Sequence, residues 1–230
     1  MAEERQGPLP PGQSGAPLRR FGLPQFAAVR PVVPDRPVIT VGGTVRAPMQ
    51  VAVAEVLALP GRRSAQRSDL HCVTTWSATG LEWGGVPFAA VHEWLAQRVE
   101  PHPKCAWVVF TGLDGYRSCL RLDDALADDV LLADTLHGEP LSPDEGAPVR
   151  LVVPAHYGYK SVRHVCAVEY RTRYDSGSVG WIGHRRARIS HEERGPLLPG
   201  WVWRPVWRGM IPGVRRRYAR FDGRPRRFGA

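Results

Sequence analysis

No stretch of about 18 apolar residues occurs in this chain of 230 residues, so the sequence offers no transmembrane helix. Cysteine is scarce. Cys72, Cys105, Cys119 and Cys166 are the four, and no two stand as C-x-x-C. That spacing excludes a disulfide framework, a haem-attachment site and an iron–sulfur cysteine pattern. A zinc site would need His102-x-x-Cys105 or His164-x-Cys166 to find a second closely spaced pair, and the sequence has none. Lysine is nearly absent, 2 residues against 29 arginines, a ratio that codon usage alone can produce. No internal repeat is visible. Arg19-Arg20-Phe21-Gly22-Leu23 has the look of a twin-arginine export signal. Pro24, Arg30, Pro31, Pro34, Asp35, Arg36 and Pro37 then stand where an apolar segment would be needed, so the expected location is the cytoplasm.

What is present is enough apolar material for a core, 43% of residues, in a chain long enough for one large domain with an appendage. The net charge of +9 is uneven. Residues 1–170 carry 16 basic against 18 acidic side chains, whereas residues 171–230 carry 15 arginines against Asp175, Glu192, Glu193 and Asp222. The basic character belongs to the tail. Three regions are therefore expected: a mobile arm over 1–37, rich in Pro, Gly and Arg; a folded body over 38–170; and a basic, Arg- and Trp-rich extension over 171–230.

The body reads as many strands with few helices. Val38–Val41, Ala106–Phe110, Tyr116–Leu120, Val130–Ala133, Val149–Val153 and Val165–Tyr170 are short apolar runs bounded by turn residues. Ala54–Leu59 and the stretch opened by Pro87, with Phe88, Val91, Trp94 and Leu95 on one face, read as helices. The fold class expected is α+β, mostly β with short helices, and not a doubly wound parallel sheet.

Two segments carry the chemistry. In Asp69-Leu70-His71-Cys72-Val73-Thr74-Thr75-Trp76-Ser77, followed by Leu81-Glu82-Trp83-Gly84-Gly85-Val86, one cysteine sits in a β-branched run. A half-buried strand of that kind holds a thiolate rigidly at the floor of a pocket. The second segment runs from Glu145 through Pro148, Arg150 and Pro154 to His156-Tyr157-Gly158-Tyr159-Lys160-Ser161-Val162-Arg163. Two guanidinium groups, one ammonium and a Gly-containing turn suit a phosphate; a solvated charged loop is the plainer alternative.

Taken together, the C-V-T-x-W-S, W-x-G-V, G-x-P-x-R-L and Y-G-Y-K-S-V-R runs, in that order between Val38 and Tyr170, resemble the molybdopterin-binding domain of the sulfite oxidase family. The likeness is greatest to the bacterial methionine sulfoxide reductase branch. The resemblance implies a molybdenum–molybdopterin cofactor with Cys72 as the protein's ligand to the metal. It places His71, Thr111, Glu145, Arg150, Lys160, Ser161, Val162 and Arg163 against the pterin and its phosphate, and Tyr157 and His156 near the reacting centre. The implied reaction is two-electron oxygen-atom transfer on a small sulfur or nitrogen oxide, with a separate electron-transfer protein as partner. His71 and His156 are candidates for proton relay; packing through a hydrogen bond is the plainer role for each. Three departures stand out. Glu145 replaces an amide, Arg163 replaces a lysine, and the 60 residues after Tyr170 are too few for the immunoglobulin-like dimerisation domain of sulfite oxidases.

Three roles compete for the tail, in which Trp201, Trp203 and Trp207 lie among arginines. It can wrap the body and bury its tryptophans, lie on an anionic membrane surface through 196–230, or contact an acidic redox partner. Nucleic-acid binding is disfavoured, because Pro199, Pro205 and Pro212 should break any helix and no recognition motif is present. Two alternatives to the enzyme reading remain at this point: a cofactor-binding protein without turnover, and a basic binding module acting through the tail.

Overall fold

A computed structural model describes residues 8–221. Residues 1–7 of the expected arm, and Arg224, Arg226 and Arg227 of the tail, lie outside the described residues. In chain order the elements begin with β1 (Ser14–Gly15), β2 (Val38–Gly43), β3 (Met49–Ala52), α1 (Val53–Leu57), β4 (Arg63–Arg67), β5 (Leu70–His71) and β6 (Trp76–Ala78). Next come β7 (Glu82–Pro87), α2 (Phe88–Val99), β8 (Trp107–Gly112), β9 (Arg117–Arg121) and α3 (Leu122–Ala125). The chain continues with β10 (Leu131–Leu136), β11 (Glu139–Pro140), β12 (Arg150–Val152), β13 (Val165–Arg171) and α4 (Gly200–Ala219).

One five-stranded sheet runs β3-β2-β13-β8-β9, and a second runs β11-β10-β7-β4 with β12 also paired to β10. A small third sheet, β1-β6-β5, sits apart. Among the described residues only β1–β6 and β2–β13 are parallel pairs, so this is the α+β architecture that the alternation of short strands implies.

Period-2 patterning explains how the layers pack. Ile39, Val41, Phe110, Leu120 and Val168 from the first sheet meet Val86, Leu132 and Leu151 from the second in the main core. Phe88, Val91, Leu95 and Val99 of α2 fill its end, each buried at helical spacing. The opposite face of the second sheet sends Trp83, Leu131, Ala133 and Val152 into another core with Leu70, Trp76 and Leu81. Neighbours such as Leu131 and Leu132 thus enter different cores, which is why these strands read as unbroken apolar runs. A fully buried aliphatic side chain contributes about 1.5–3 kcal/mol. The W-x-G-V run has a steric reason as well: a Cβ on Gly85 would lie 2.2 Å from the Leu132 carbonyl oxygen, so β7 and β10 approach only through glycine.

Both terminal segments depart from expectation. Residues 8–37 were expected as a mobile arm; the described part packs on the body as a strap. Its β1 extends β6, its Phe21 ring meets Trp76 edge-on and stacks on Tyr218, and its Ala27 is fully buried. The prolines of the tail do not break it, for Pro205 and Pro212 lie inside the 20-residue α4. Seven residues apart and both exposed, they share the solvent face, where water replaces the missing N–H donors, and a proline φ is itself helical. The opposite face holds the helix down through Trp207, Val214 and Tyr218, all buried. Trp201 stays 64% exposed, so the tail buries only part of its aromatic surface. Among the described residues no helix is long and apolar enough to cross a membrane.

Candidate active site

Cys72 stands at the tip of the β5–β6 hairpin and not within a strand. His71 pairs with Ser77, the Cys72 N–H donates to Trp76 O at 2.8 Å, and the Thr75 N–H donates back to Cys72 O at 3.1 Å. The sulfur is 3.0 Å from the Thr74 hydroxyl. Burial pushes the thiol pKa up; the Thr74 hydrogen bonds and the Arg194 charge pull it down. A metal that displaces the thiol proton removes that penalty.

Beside Cys72 opens a cavity of about 810 Å³, a size that suits a bound organic cofactor. Cys72, Glu145, Arg150, Ser161 and Arg163, far apart in sequence, all line it. Arg150 projects from β12 on the Trp83 side, its guanidinium 4.8 Å from that ring's centroid. One Nη donates to Glu145 O at 2.7 Å, but the Nε is buried without a partner among the described residues. Burial, then the neighbouring Arg163, press its pKa down to about 9, against a smaller pull from Glu145. A buried guanidinium with an idle donor beside a second arginine is a site prepared for an anion. Gly146 makes the pairing possible: at φ +121° it lies so close that a Cβ would press on both Arg150 and Arg163 at 3.1 Å. The Glu145 carboxylate folds back to accept from Ser142 N–H at 2.8 Å.

Other residues expected at the site stand behind its wall. Tyr159, Ser161 and Arg163, in and just after the 3₁₀ turn Gly158–Lys160, line the cavity, while Lys160 and Val162 do not. Lys160 is buried and donates to Cys119 O (2.6 Å) and Arg185 O (2.8 Å), and burial brings its pKa down to about 8. Val162 packs in the main core. His156 lies against Asp124, 3.4 Å away, where Arg186 also binds, and lines no part of the cavity. His71 shares a hydrogen with Ser77 Oγ at 2.7 Å. Thr111 has a buried hydroxyl without a partner on the face of β8 turned from the main core. Tyr157 packs with Val73 and Trp207 behind the Cys72 turn, its hydroxyl buried and unpartnered. Neither histidine reaches the cavity, so packing describes them better than proton relay.

The remaining walls come from outside the sequence motifs. The strap supplies Arg19, Arg20, Phe21 and Phe26, and α4 supplies Trp207, Met210, Val214 and Tyr218. No periodic signal marks the strap; the Arg19-Arg20-Phe21 run was its only visible feature.

Residues 26–179 match the family described as the oxidoreductase molybdopterin binding domain. The chain belongs to that family. It is 33% identical over 132 residues to an uncharacterized oxidoreductase, YuiH, of Bacillus subtilis, covering 57% of this chain and 64% of the relative. It is 34% identical over 148 residues to the protein-methionine-sulfoxide reductase catalytic subunit MsrP of Xanthomonas axonopodis, covering 57% of this chain and 44% of that protein. The chain therefore spans less than two thirds of these relatives' length. Among solved structures, the sulfane dehydrogenase SoxCD from Paracoccus pantotrophus shares the fold, with a TM-score of 0.55 at 20% identity over 69% of this chain and 43% of that one.

Proposed function

We propose that this chain binds a molybdenum–molybdopterin cofactor in the cavity beside Cys72 and carries out two-electron oxygen-atom transfer on a small sulfur or nitrogen oxide, a sulfoxide first among them. The observation that carries this reading is the pairing of a thiol and an anion site across one cavity: Cys72 on one part of its wall, Arg150 with its unpartnered buried Nε and Arg163 on another. The residues fit the group. A thiolate is a soft ligand for a redox metal, and the two guanidinium groups with the Ser161 region suit a phosphate-bearing pterin. When bound, the cofactor supplies the two-electron redox centre.

The chain's own side chains hold, exclude and orient. Cys72 is fixed by the hairpin turn and its Thr74 contact. Leu70, Trp76 and Leu81 on the body, with Met210 and Val214 on α4, make an apolar wall that limits water and suits the organic part of a sulfoxide. Reducing a sulfoxide consumes two electrons and two protons and releases a sulfide and water. The electrons come from a separate electron-transfer protein, and the MsrP relative's designation as a catalytic subunit supports that division of labour.

The test is molybdenum stoichiometry by elemental mass spectrometry, on wild type and Cys72→Ser made in one cofactor-competent host. Near one metal per wild-type chain, with an altered metal absorption spectrum in a variant of unchanged Tm, is expected. Folded wild type without molybdenum or pterin overturns the proposal.

A further inference from the structure

The turn that carries Cys72 is strained and is held from outside. Thr75, β-branched and 3% exposed, has φ +76°, in the left-handed region that β-branched residues rarely enter. Such a conformation persists only where its surroundings over-determine it. Here they do. Gln13 Nε2 donates to Cys72 O at 3.1 Å, and Ser14 donates to Thr75 O through both its N–H (3.1 Å) and its hydroxyl (3.3 Å). Arg194 Nη1 donates to Val73 O at 2.8 Å, and Arg208 Nε to Thr75 Oγ1 at 3.3 Å.

Arg194 is the centre of this arrangement. Fully buried, it also donates from Nη2 to Pro11 O (2.9 Å) and from Nε to Glu192 Oε1 (3.0 Å), and its guanidinium carbon lies 4.9 Å from the Tyr157 ring centroid. Its own carbonyl accepts from the Trp207 indole at 2.9 Å. One residue, by its side chain and its carbonyl, therefore ties the Cys72 turn, the strap and α4 together. Gln13, Arg194 and Arg208 all lie outside the matched residues 26–179.

We propose that Gln13 and Arg194 are positioning residues for the Cys72 sulfur: by bonding successive carbonyls of the Cys72–Thr75 turn from both terminal segments, they hold a strained conformation that aims the sulfur at the metal. The proposal rests on the reading of Cys72 as the ligand. Without the clamp the turn relaxes toward an unstrained Thr75, and the sulfur direction relaxes with it.

The test uses full-length holoprotein as wild type, Gln13→Ala, Arg194→Lys, Arg194→Met and the double variant Gln13→Ala/Thr75→Gly. Molybdenum loss during dialysis, the thiolate-to-metal absorption band and Tm are measured on each. Removing one such hydrogen bond changes an equilibrium by about tenfold. Gln13→Ala is therefore expected to lose metal about tenfold faster and to shift the band, with Tm within a few degrees of wild type. Glycine adopts φ +76° without strain, so Thr75→Gly, although it also removes the hydroxyl that Arg208 bonds, should return the band and the loss rate toward wild type, a rescue that a merely structural role does not predict. Arg194→Lys, which keeps charge but not the forked donors, should shift the band as well. Wild-type band and loss rate in folded Gln13→Ala and Arg194→Lys overturn the clamp. Should Arg194→Met fail to fold, Gln13→Ala and its rescue decide alone. Wild type that carries no molybdenum overturns the cofactor reading instead. The clamp is then read from iodoacetamide labelling of Cys72 in the cofactor-free protein, faster in Gln13→Ala if it holds and unchanged if it does not.

Discussion

Arg150→Met should move the stability of the empty and the loaded protein in opposite directions. Burial and Arg163 press the Arg150 pKa to about 9, three to four decades below its ordinary value. At ~1.4 kcal/mol per decade, holding the charge costs roughly 5 kcal/mol. Against this stand the bond to Glu145 O and the face of the Trp83 ring, together worth about 3 kcal/mol. Methionine follows the same stem without a charge, so the cofactor-free variant should gain about 2 kcal/mol. That is roughly 4–8 °C in Tm for a chain of this size. With the cofactor's anionic group in place, losing the buried guanidinium leaves that anion with only Arg163 of the pair, at a cost of about 3–5 kcal/mol. The loaded variant should melt below loaded wild type and hold its pterin some 10²–10³-fold less tightly. Scanning calorimetry of both forms, with pterin quantified by mass spectrometry, reads the two signs separately. An empty variant less stable than wild type, or one that keeps its pterin as wild type does, refutes the assignment of Arg150 to an anion.

Three further outcomes follow from other parts of the molecule. The Lys160 pKa is lowered to about 8, so between that value and its ordinary one the unfolded chain binds the extra proton, and stability from this group rises with pH. Urea titrations from pH 7.5 to 10 should show that rise in wild type and a flatter profile in Lys160→Met; identical slopes would remove the buried-ammonium account. Trp207→Ala empties a buried site and strips the donor from Arg194 O, so it should cost about 3–5 kcal/mol in chemical denaturation, and a loss under about 1 kcal/mol would mean that α4 is not packed here. Gly85→Ala places a methyl group against the Leu132 carbonyl and should destabilise by about 1–3 kcal/mol or more; wild-type Tm in that variant would contradict the β7–β10 register.

The sheets were legible because their strands carry their burial in the residue pattern. Leu131 and Leu132 feed two cores, and runs such as Val149–Val153 can be little else than strands buried on both faces. The family resemblance, read from four short motifs, agrees with the domain match over 26–179. At the cavity, Cys72, Arg150, Ser161 and Arg163 were visible as residue types in a pattern. Lys160 and Val162 were misplaced because proximity in a motif does not say which way a side chain turns: Lys160, at the end of the 3₁₀ turn Gly158–Lys160, donates to two backbone carbonyls, and Val162 enters the main core. The Cys72 turn read as a strand because Val73, Thr74 and Thr75 have strand propensity, which the hairpin overrides at φ +76°. The strap was illegible for the opposite reason. It has no period of its own and is ordered by hydrogen bonds and aromatic contacts with residues more than 50 positions away, among them Gln13 with Cys72 and Phe21 with Tyr218. The helix through Pro205 and Pro212 depends on a fact local propensity does not hold, that both prolines face water while Trp207 and Tyr218 anchor the other side.

The contacts that roof the cavity join residues very distant along the chain, as in Arg208 to Gly12, Tyr218 to Leu23 and Arg194 to Pro11. Contacts of such separation carry a larger loop-closure entropy than the local hairpins and the β8–β9 pair. Both five-stranded sheets keep their own pairing when those contacts open. The space between Cys72 and Arg150 can thus be reached by loosening the strap and α4 alone, with the body left folded.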